Sequence, residues 1–377
     1  MPNLATNHIV RVAPIVKALQ RDHDVKLIGI LKEDEELFPP FAREFDYTVV
    51  RLTGRGGFLG ALRRVQEELS GDLIYAFQAL PLSFGAGLLR KLRRRRPVIL
   101  DITDWEVWRA YRYGRGLKHC VHIARQVLGP GWSSPASLKY HYLVDKCVPL
   151  ADAVTVVATC LQKRYGGVLL RHGPDTTAFD PGRFDQGALR VKWGMPADLR
   201  LILFAGTPSV WKGVDQLVAA LDLVPAKDVR LLMAGKPFAQ DDARVLHVGF
   251  QPHAVIPELL AMADLVVLPQ QNHPMAEAQI PNKVFEAMAM AKPIVASAVG
   301  DMGEVLSGCG IVVEPGNVPA LAEGITQVLA DRTRSEEMGR RAREKCVREY
   351  SWDAIARVLG EVLRPFVSKP SGDGVRT

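Results

Sequence analysis

Long apolar runs are missing from this chain of 377 residues, and none reaches the roughly 18 residues that a membrane-spanning helix needs. The first residues lack the basic-then-apolar pattern of a secretory leader. Cysteine is scarce: five residues (Cys120, Cys147, Cys160, Cys309, Cys346) lie scattered, with neither a metal-ligand nor a disulfide-framework spacing, so a reducing, cytoplasmic setting is expected. The G-x-x-x-x-G-K-[ST] spacing of a phosphate loop is absent, as is H-E-x-x-H, and no Ser-His-Asp order can be singled out. "GRGGFLG" (54–60) does not fit the dinucleotide fingerprint and reads as a flexible turn before a helix at 61–69. Asp22–His23–Asp24 is an acidic triplet of the kind that can hold a divalent ion. It falls where a helix gives way to a strand, and turn chemistry is its plainer reading.

What is present is globular: 48% hydrophobic and 24% charged residues, in a chain long enough for two domains. Net charge is +7, with a sequence pI near 9.2. That balance suits anionic partners, and much of the excess sits in "RKLRRRR" (90–96). This run has no interleaved aromatics, so nucleic acid is not the expected partner. Trp and Tyr do crowd the neighbouring segment 105–118. With the arginine run it forms either an anionic-membrane contact or a solvated basic face with core aromatics.

Apolar strands alternate with helical patterns at 24–30, 47–52, 72–77, 97–102 and 152–158, then again at 200–206, 229–235, 244–250, 264–269 and 292–297. Such alternation implies parallel sheets covered by helices, and two sets imply two doubly wound domains. The Gly-, Pro- and Asp-rich segment 171–187 reads as the linker. The expected division is 1–182, 183–350, and 351–377 as a returning helix with a tail. In such sheets ligands bind outside the carboxyl ends of the strands, so a site between the domains is expected. The chain opens on a loop and a helix with no strand before it, so the expectation is that either the true start lies upstream or the sheet of the first domain lacks its first strand. The last helix carries an apolar stripe (Ile355, Val358, Leu359, Val362, Leu363, Phe366) and is expected to cross back to the first domain.

Two stretches carry chemistry. In "FAGTPSVWKGVDQLVAAL" (204–221) a strand ends at Gly206-Thr207 and a helix begins near Gly213. Lys212 beside a helix start can grip a diphosphate. In "IPNKVFEAMAMAKPIVAS" (280–297) Pro281 opens a helix, and Lys283 and Glu286 share its first turn. The pair reads either as an intrahelical salt bridge of about 0.2–0.5 kcal/mol or as a ligand site. In the second case the helix N-terminus faces an anion and the carboxylate accepts sugar hydroxyls.

Together, "ADAVTVVA", "RHGPDTTAFDP", "FAGTPSVWKGVDQLVAAL", "HVGFQPHAVIPELLAMADLVVLPQ", "PNKVFEAMAMAKPIVASAVGDMGEVL" and "YSWDAIARVL" resemble, in order, the blocks of the family 4 (group 1) retaining glycosyltransferases. The resemblance implies an α/β GT-B fold and sugar transfer from a nucleotide sugar to a glycan or lipid-linked acceptor. It implies retention of anomeric configuration, no essential metal or cofactor, and a role in cell-surface polysaccharide or glycolipid synthesis. The location it suggests is cytoplasmic or peripheral at the inner face of the cell membrane. Glu286 matches the second glutamate of the family's Glu-x7-Glu motif, which holds the nucleotide ribose, and Lys212 matches the lysine on the diphosphate. Gly206, Thr207, Gly235, Ile280, Pro281, Asn282 and Lys283 complete the implied donor site. The sequence departs from the pattern at Ala278, where the first motif glutamate belongs (Glu277 is one residue off), and at Thr207, where an arginine is common. Lys283 can supply part of that charge. "DITDW" (101–105) resembles the Asp-Leu-Trp corner of members acting on lipid-linked acceptors, which makes Asp104 an acceptor-side catalytic candidate; a helix cap is the other reading. A nucleotide-sugar epimerase of the same architecture and a non-catalytic partner subunit remain as alternatives.

Overall fold

The computed structural model describes residues 3–6, 8–53, 57–107, 137–237 and 242–367. Its chain divides into two compact units. The first comprises 1–156, 161–170 and 355–377; the second comprises 157–160 and 171–354.

In the first unit two parallel strands, β1 (Leu27–Lys32) and β2 (Tyr47–Leu52), pair in register from Leu27↔Tyr47 to Lys32↔Leu52. A separate four-stranded parallel sheet runs β3 (Ile74–Phe77), β4 (Val98–Ile102), β5 (Ala153–Val156) and β6 (Val168–Leu169). Asn3 makes a parallel bridge to Ile30, with Leu4 N–H donating to Ile30 O at 2.9 Å. Leu4 is buried, and its side chain fills the space that a Cβ on Gly29 would need.

Helix formation starts earlier than the glycines suggest. The helix read as 61–69 spans Gly57–Glu68, because Phe58, Ala61 and Val65 bury themselves against Ile30 and Val50. The rest of that glycine turn (54–56) lies outside the described residues, as do 108–118 of the aromatic segment. A buried ion pair crosses the first unit. Arg11 donates through Nε and Nη2 to both oxygens of Asp101 (3.1 and 2.7 Å), and Thr155 Oγ1 adds a bond to Oδ1 at 2.7 Å. Val362, Leu363 and partly buried Phe366, from the end of the chain, pack with Ile99, Tyr75 and Leu19 of this unit.

The second unit is one six-stranded parallel sheet in the order β12-β11-β10-β7-β8-β9. Its strands are β7 (Arg200–Ala205), β8 (Val229–Ala234), β9 (Val245–Gly249), β10 (Leu265–Leu268), β11 (Ile294–Ser297) and β12 (Ile311–Val313). The order reverses at β7, the switch point at which doubly wound sheets bind ligands. Ile202, Leu231, Val267 and Val295 from the strands meet Leu217, Leu221 and Ile325 from the covering helices. Each such residue contributes about 1.5–3 kcal/mol by its burial. Helices on both faces explain why these strands read as continuous apolar runs rather than alternating ones. Among the described residues no helix is long and apolar enough to cross a membrane.

Candidate active site

The carboxyl end of β7 is built for close approach. Gly206 and Gly235, which end β7 and β8, both take φ of 146°. A Cβ on Gly235 would lie 2.3 Å from Gly206 O, so only glycine lets the two turns touch. After Gly206 the chain makes a short 3-10 turn (Val210–Lys212) and enters the helix Val214–Leu223 through Gly213, a left-handed residue with φ 61°. A Cβ there would fall 1.9 Å from Pro269 O, and Gln271 N–H donates to Trp211 O at 2.9 Å. The lysine turn is thereby clamped to the end of β10.

Lys212 Nζ donates to Thr207 O at 2.8 Å. A Cβ on Gly206 would sit 3.5 Å from Lys212 Nζ and 3.6 Å from Lys283 Cε, so two lysines converge over one glycine. Burial pulls the Lys212 ammonium below the usual lysine value, and the Lys283 charge pulls it further. Two ammonium groups held this way favour a ligand that brings negative charge.

Lys283 lies in the first turn of the helix Asn282–Ala289, with Pro281 as its N-cap and buried Ile280 before it. That end of the helix leaves amides without intrahelical partners and carries a partial positive charge. Glu286, one turn in, is 1% exposed. Its Oε1 accepts from Asn282 Nδ2 at 2.6 Å and lies 2.9 Å from His253 Nε2, while Lys283 Nζ stands 3.9 Å from Oε2. Burial pushes this carboxyl up, but the Lys283 charge and the His253 and Asn282 hydrogen bonds outweigh it and hold the group at about 2. It is a carboxylate at any physiological pH. An intrahelical salt bridge therefore does not account for Glu286: its two close partners are His253 and Asn282, and the lysine is at the limit of contact.

Among the described residues of the second unit, the buried side-chain polar atoms with no hydrogen-bond partner are Ser209 Oγ, Gln270 Oε1 and Glu286 Oε2. Ser209 follows β7, Gln270 follows β10, and Glu286 lies on the helix Asn282–Ala289 between β10 and β11. Unsatisfied buried polar atoms cost about 1–3 kcal/mol each, so three at one end of one sheet are an uncompensated cost unless a ligand meets them.

The structure brings Gly206, Thr207, Lys212, Gly235, Ile280, Pro281, Asn282, Lys283 and Glu286 to the carboxyl side of β7, β8 and β10. Ala278 is buried at 1%, whereas Glu277 is exposed, so no carboxylate occupies the inward position one residue on. His253, Ser209 and Gln270 were not legible as site residues. His253 had sequence context only as part of the block "HVGFQPHAVIPELL".

Asp104 belongs to the first unit and follows β4. Its Oδ2 accepts from Gln78 Nε2 at 3.3 Å, and the same amide nitrogen reaches Thr103 Oγ1. Gln78, at the end of β3, is 4% exposed and holds a left-handed φ of 67°, a strained conformation for a residue with a side chain. The acidic triplet Asp22–Asp24 occupies the turn between the helix Ile9–Leu19 and β1.

Residues 200–331 match the family model described as "Glycosyl transferases group 1". The chain is 28% identical over 306 residues to the glycogen synthase of Mycobacterium tuberculosis, covering 74% of this chain and 72% of that one. It is 31% identical over 255 residues to the alpha-maltose-1-phosphate synthase of Mycolicibacterium smegmatis, covering 58% and 64%. Among solved structures, Anabaena HepE in complex with UDP superposes with a TM-score of 0.72 at 19% identity, over 97% of this chain and 98% of that one. The fold is GT-B. The chain is an enzyme that transfers sugars, a glycosyltransferase.

Proposed function

We propose that the protein transfers a sugar from a nucleotide sugar to a hydroxyl of a glycan or lipid-linked acceptor, with retention of anomeric configuration and without an essential metal ion. The carrying observation is the convergence of Lys212 and Lys283 over Gly206, beside the buried, half-satisfied carboxylate of Glu286. In this reading Glu286 accepts from the ribose. The lysines and the N-terminus of the helix Asn282–Ala289 meet the diphosphate. As the bond from the anomeric carbon to the phosphate oxygen breaks, the electron pair stays on the diphosphate. Its growing charge is met by groups already in place, which is where preorganised charge lowers a barrier. The UDP bound by the HepE structure supports a uridine nucleotide as the first donor to try.

Asp104 is the acceptor-side candidate, supported by its place at a strand end and by the strained Gln78 that reaches it. A role in cell-surface polysaccharide or glycolipid synthesis, at the inner face of the membrane, is supported by exposed Leu92 (80%) beside exposed Arg93, Arg94 and Arg95. Two other cations of that run are engaged, Lys91 with Asp152 and Arg96 with Asp72.

The test is a donor-and-acceptor panel assayed in excess EDTA, with NMR of the new linkage. Transfer that survives chelation with the donor's configuration kept supports the reading. Rescue only by magnesium or manganese, or an inverted linkage, overturns the corresponding half. Conversion of the donor alone to an epimer would instead favour an epimerase of the same architecture.

A further inference from the structure

The first unit contains a buried carboxylate whose two oxygens are both met by the protein, and it shows what full satisfaction looks like. Asp101 is 1% exposed, and both of its oxygens accept hydrogen bonds from Arg11, with Thr155 adding a third. Glu286 is as deeply buried, and its bonds are lopsided. Two donors, His253 and Asn282, crowd Oε1, and none reaches Oε2. An ionised carboxylate oxygen offers about two lone-pair sites. Oε1 is filled by the protein, and Oε2 is left with its capacity intact.

His253 is not placed for its own burial, since its side chain is 27% exposed. It stands in the 3-10 turn His253–Val255 after β9, and its ring packs on that of Phe179 at 5.6 Å between centroids. Phe179, itself 2% exposed, holds the ring from one side. Because Nε2 faces a carboxylate, that nitrogen carries the proton. The imidazole thus donates to Glu286 from 33 residues away in sequence and fixes the rotation of the carboxyl group.

We propose that His253 is a positioning residue of the donor site: it locks the Glu286 carboxylate so that Oε2 alone is presented to the ribose diol of a nucleoside diphosphate. This rests on the ribose role given to Glu286 above, and it adds which oxygen is used and what holds it there. Asn282 shares the task, but it lies on the same helix four residues away and moves with Glu286. His253 comes from a different element and is the independent anchor.

The experiment is isothermal titration of the full chain with UDP and with 2′,3′-dideoxy-UDP, reporting the ratio of their Kd values. GDP and ADP, with their dideoxy counterparts, replace them if UDP does not bind. Wild type is expected to prefer the ribonucleotide by on the order of tenfold or more, the worth of a hydrogen bond to a charged acceptor. His253→Ala should bring the ratio close to one by weakening UDP while leaving the dideoxy analogue's Kd unchanged. His253→Gln, which keeps an N–H donor, should restore part of the preference. If Glu286→Ala removes the preference and His253→Ala keeps it, the positioning role is wrong and the ribose role stands. If Glu286→Ala keeps the preference, or if none of the three diphosphates binds, the ribose reading itself falls and the inference falls with it. An equal loss for both ligands in His253→Ala would mean that the histidine only supports the fold. Should that variant fail to fold, His253→Phe carries the test, since it keeps a ring beside Phe179 and removes the N–H: a ratio near one with the dideoxy Kd unchanged supports positioning, and the wild-type ratio with folding intact overturns it.

Discussion

Replacing Glu286 by glutamine keeps the shape of the side chain and removes its charge, and the consequence for stability depends on pH. The folded protein holds this carboxyl at about 2, against 4.5 for an ordinary glutamate. A depressed folded value means that the charged form is favoured by folding. The contribution is therefore fully present above about 4.5 and is lost as pH falls through the folded value near 2. A gap of that size corresponds to about 3 kcal/mol. Urea unfolding, followed by tryptophan fluorescence (Trp193 and Trp211 lie in the second unit), should find Glu286→Gln less stable than wild type by up to that amount at pH 7. The difference between the two proteins should then shrink as pH is lowered from 5 towards 2. Other carboxylates titrate over the same range, but they are common to both proteins and cancel in the difference. A difference that stays constant from pH 7 to pH 2.5 would mean that Lys283, His253 and Asn282 do not hold the carboxyl down, and the electrostatic description of the site would be wrong.

Lys212→Ala should lower kcat more than it raises the donor KM, because the charge it meets grows as the bond breaks; steady-state kinetics across donor concentrations separates the two. The Lys212 ammonium is held below its usual value, by burial first and by Lys283 second. Diphosphate binding should restore it, so titrations at alkaline pH in buffers of different ionisation enthalpy should detect proton uptake that Lys212→Ala lacks. Gly235→Ala places a Cβ 2.3 Å from Gly206 O and should cost about 1–3 kcal/mol of stability, with weaker nucleotide binding, read by thermal melting and titration. Asp104→Asn should raise the acceptor KM or lower turnover while nucleoside diphosphate affinity stays at the wild-type value; unchanged transfer kinetics would remove Asp104 from the acceptor side.

The repeating strands were legible because a strand buried on both faces is an uninterrupted apolar run, and β2 has the bounds that its composition gives, 47–52. β6 and β12 were not, since strands of two and three residues carry no period. The start of the helix Gly57–Glu68 was misplaced because glycine signals a turn, and here the burial of Phe58 and Ala61 overrides that preference. In the candidate site the lysine turn and Glu286 were visible through local spacing. The convergence of Lys212 and Lys283 over Gly206 was not, because the two lysines come from turns remote from each other in sequence. His253 and Gln78 were invisible for the same reason: the partner of each is remote in sequence, 33 residues for His253 and 26 for Gln78 to Asp104.

The most direct measurement is calorimetric titration of nucleoside diphosphates and the matching nucleosides into wild type and into Lys212→Ala/Lys283→Ala. If the two lysines form the diphosphate site, one diphosphate binds wild type, the double variant loses most of that affinity, and the affinity of the nucleoside is the same for both proteins. A double variant that binds the diphosphate as tightly as wild type would show that these lysines do not hold the donor.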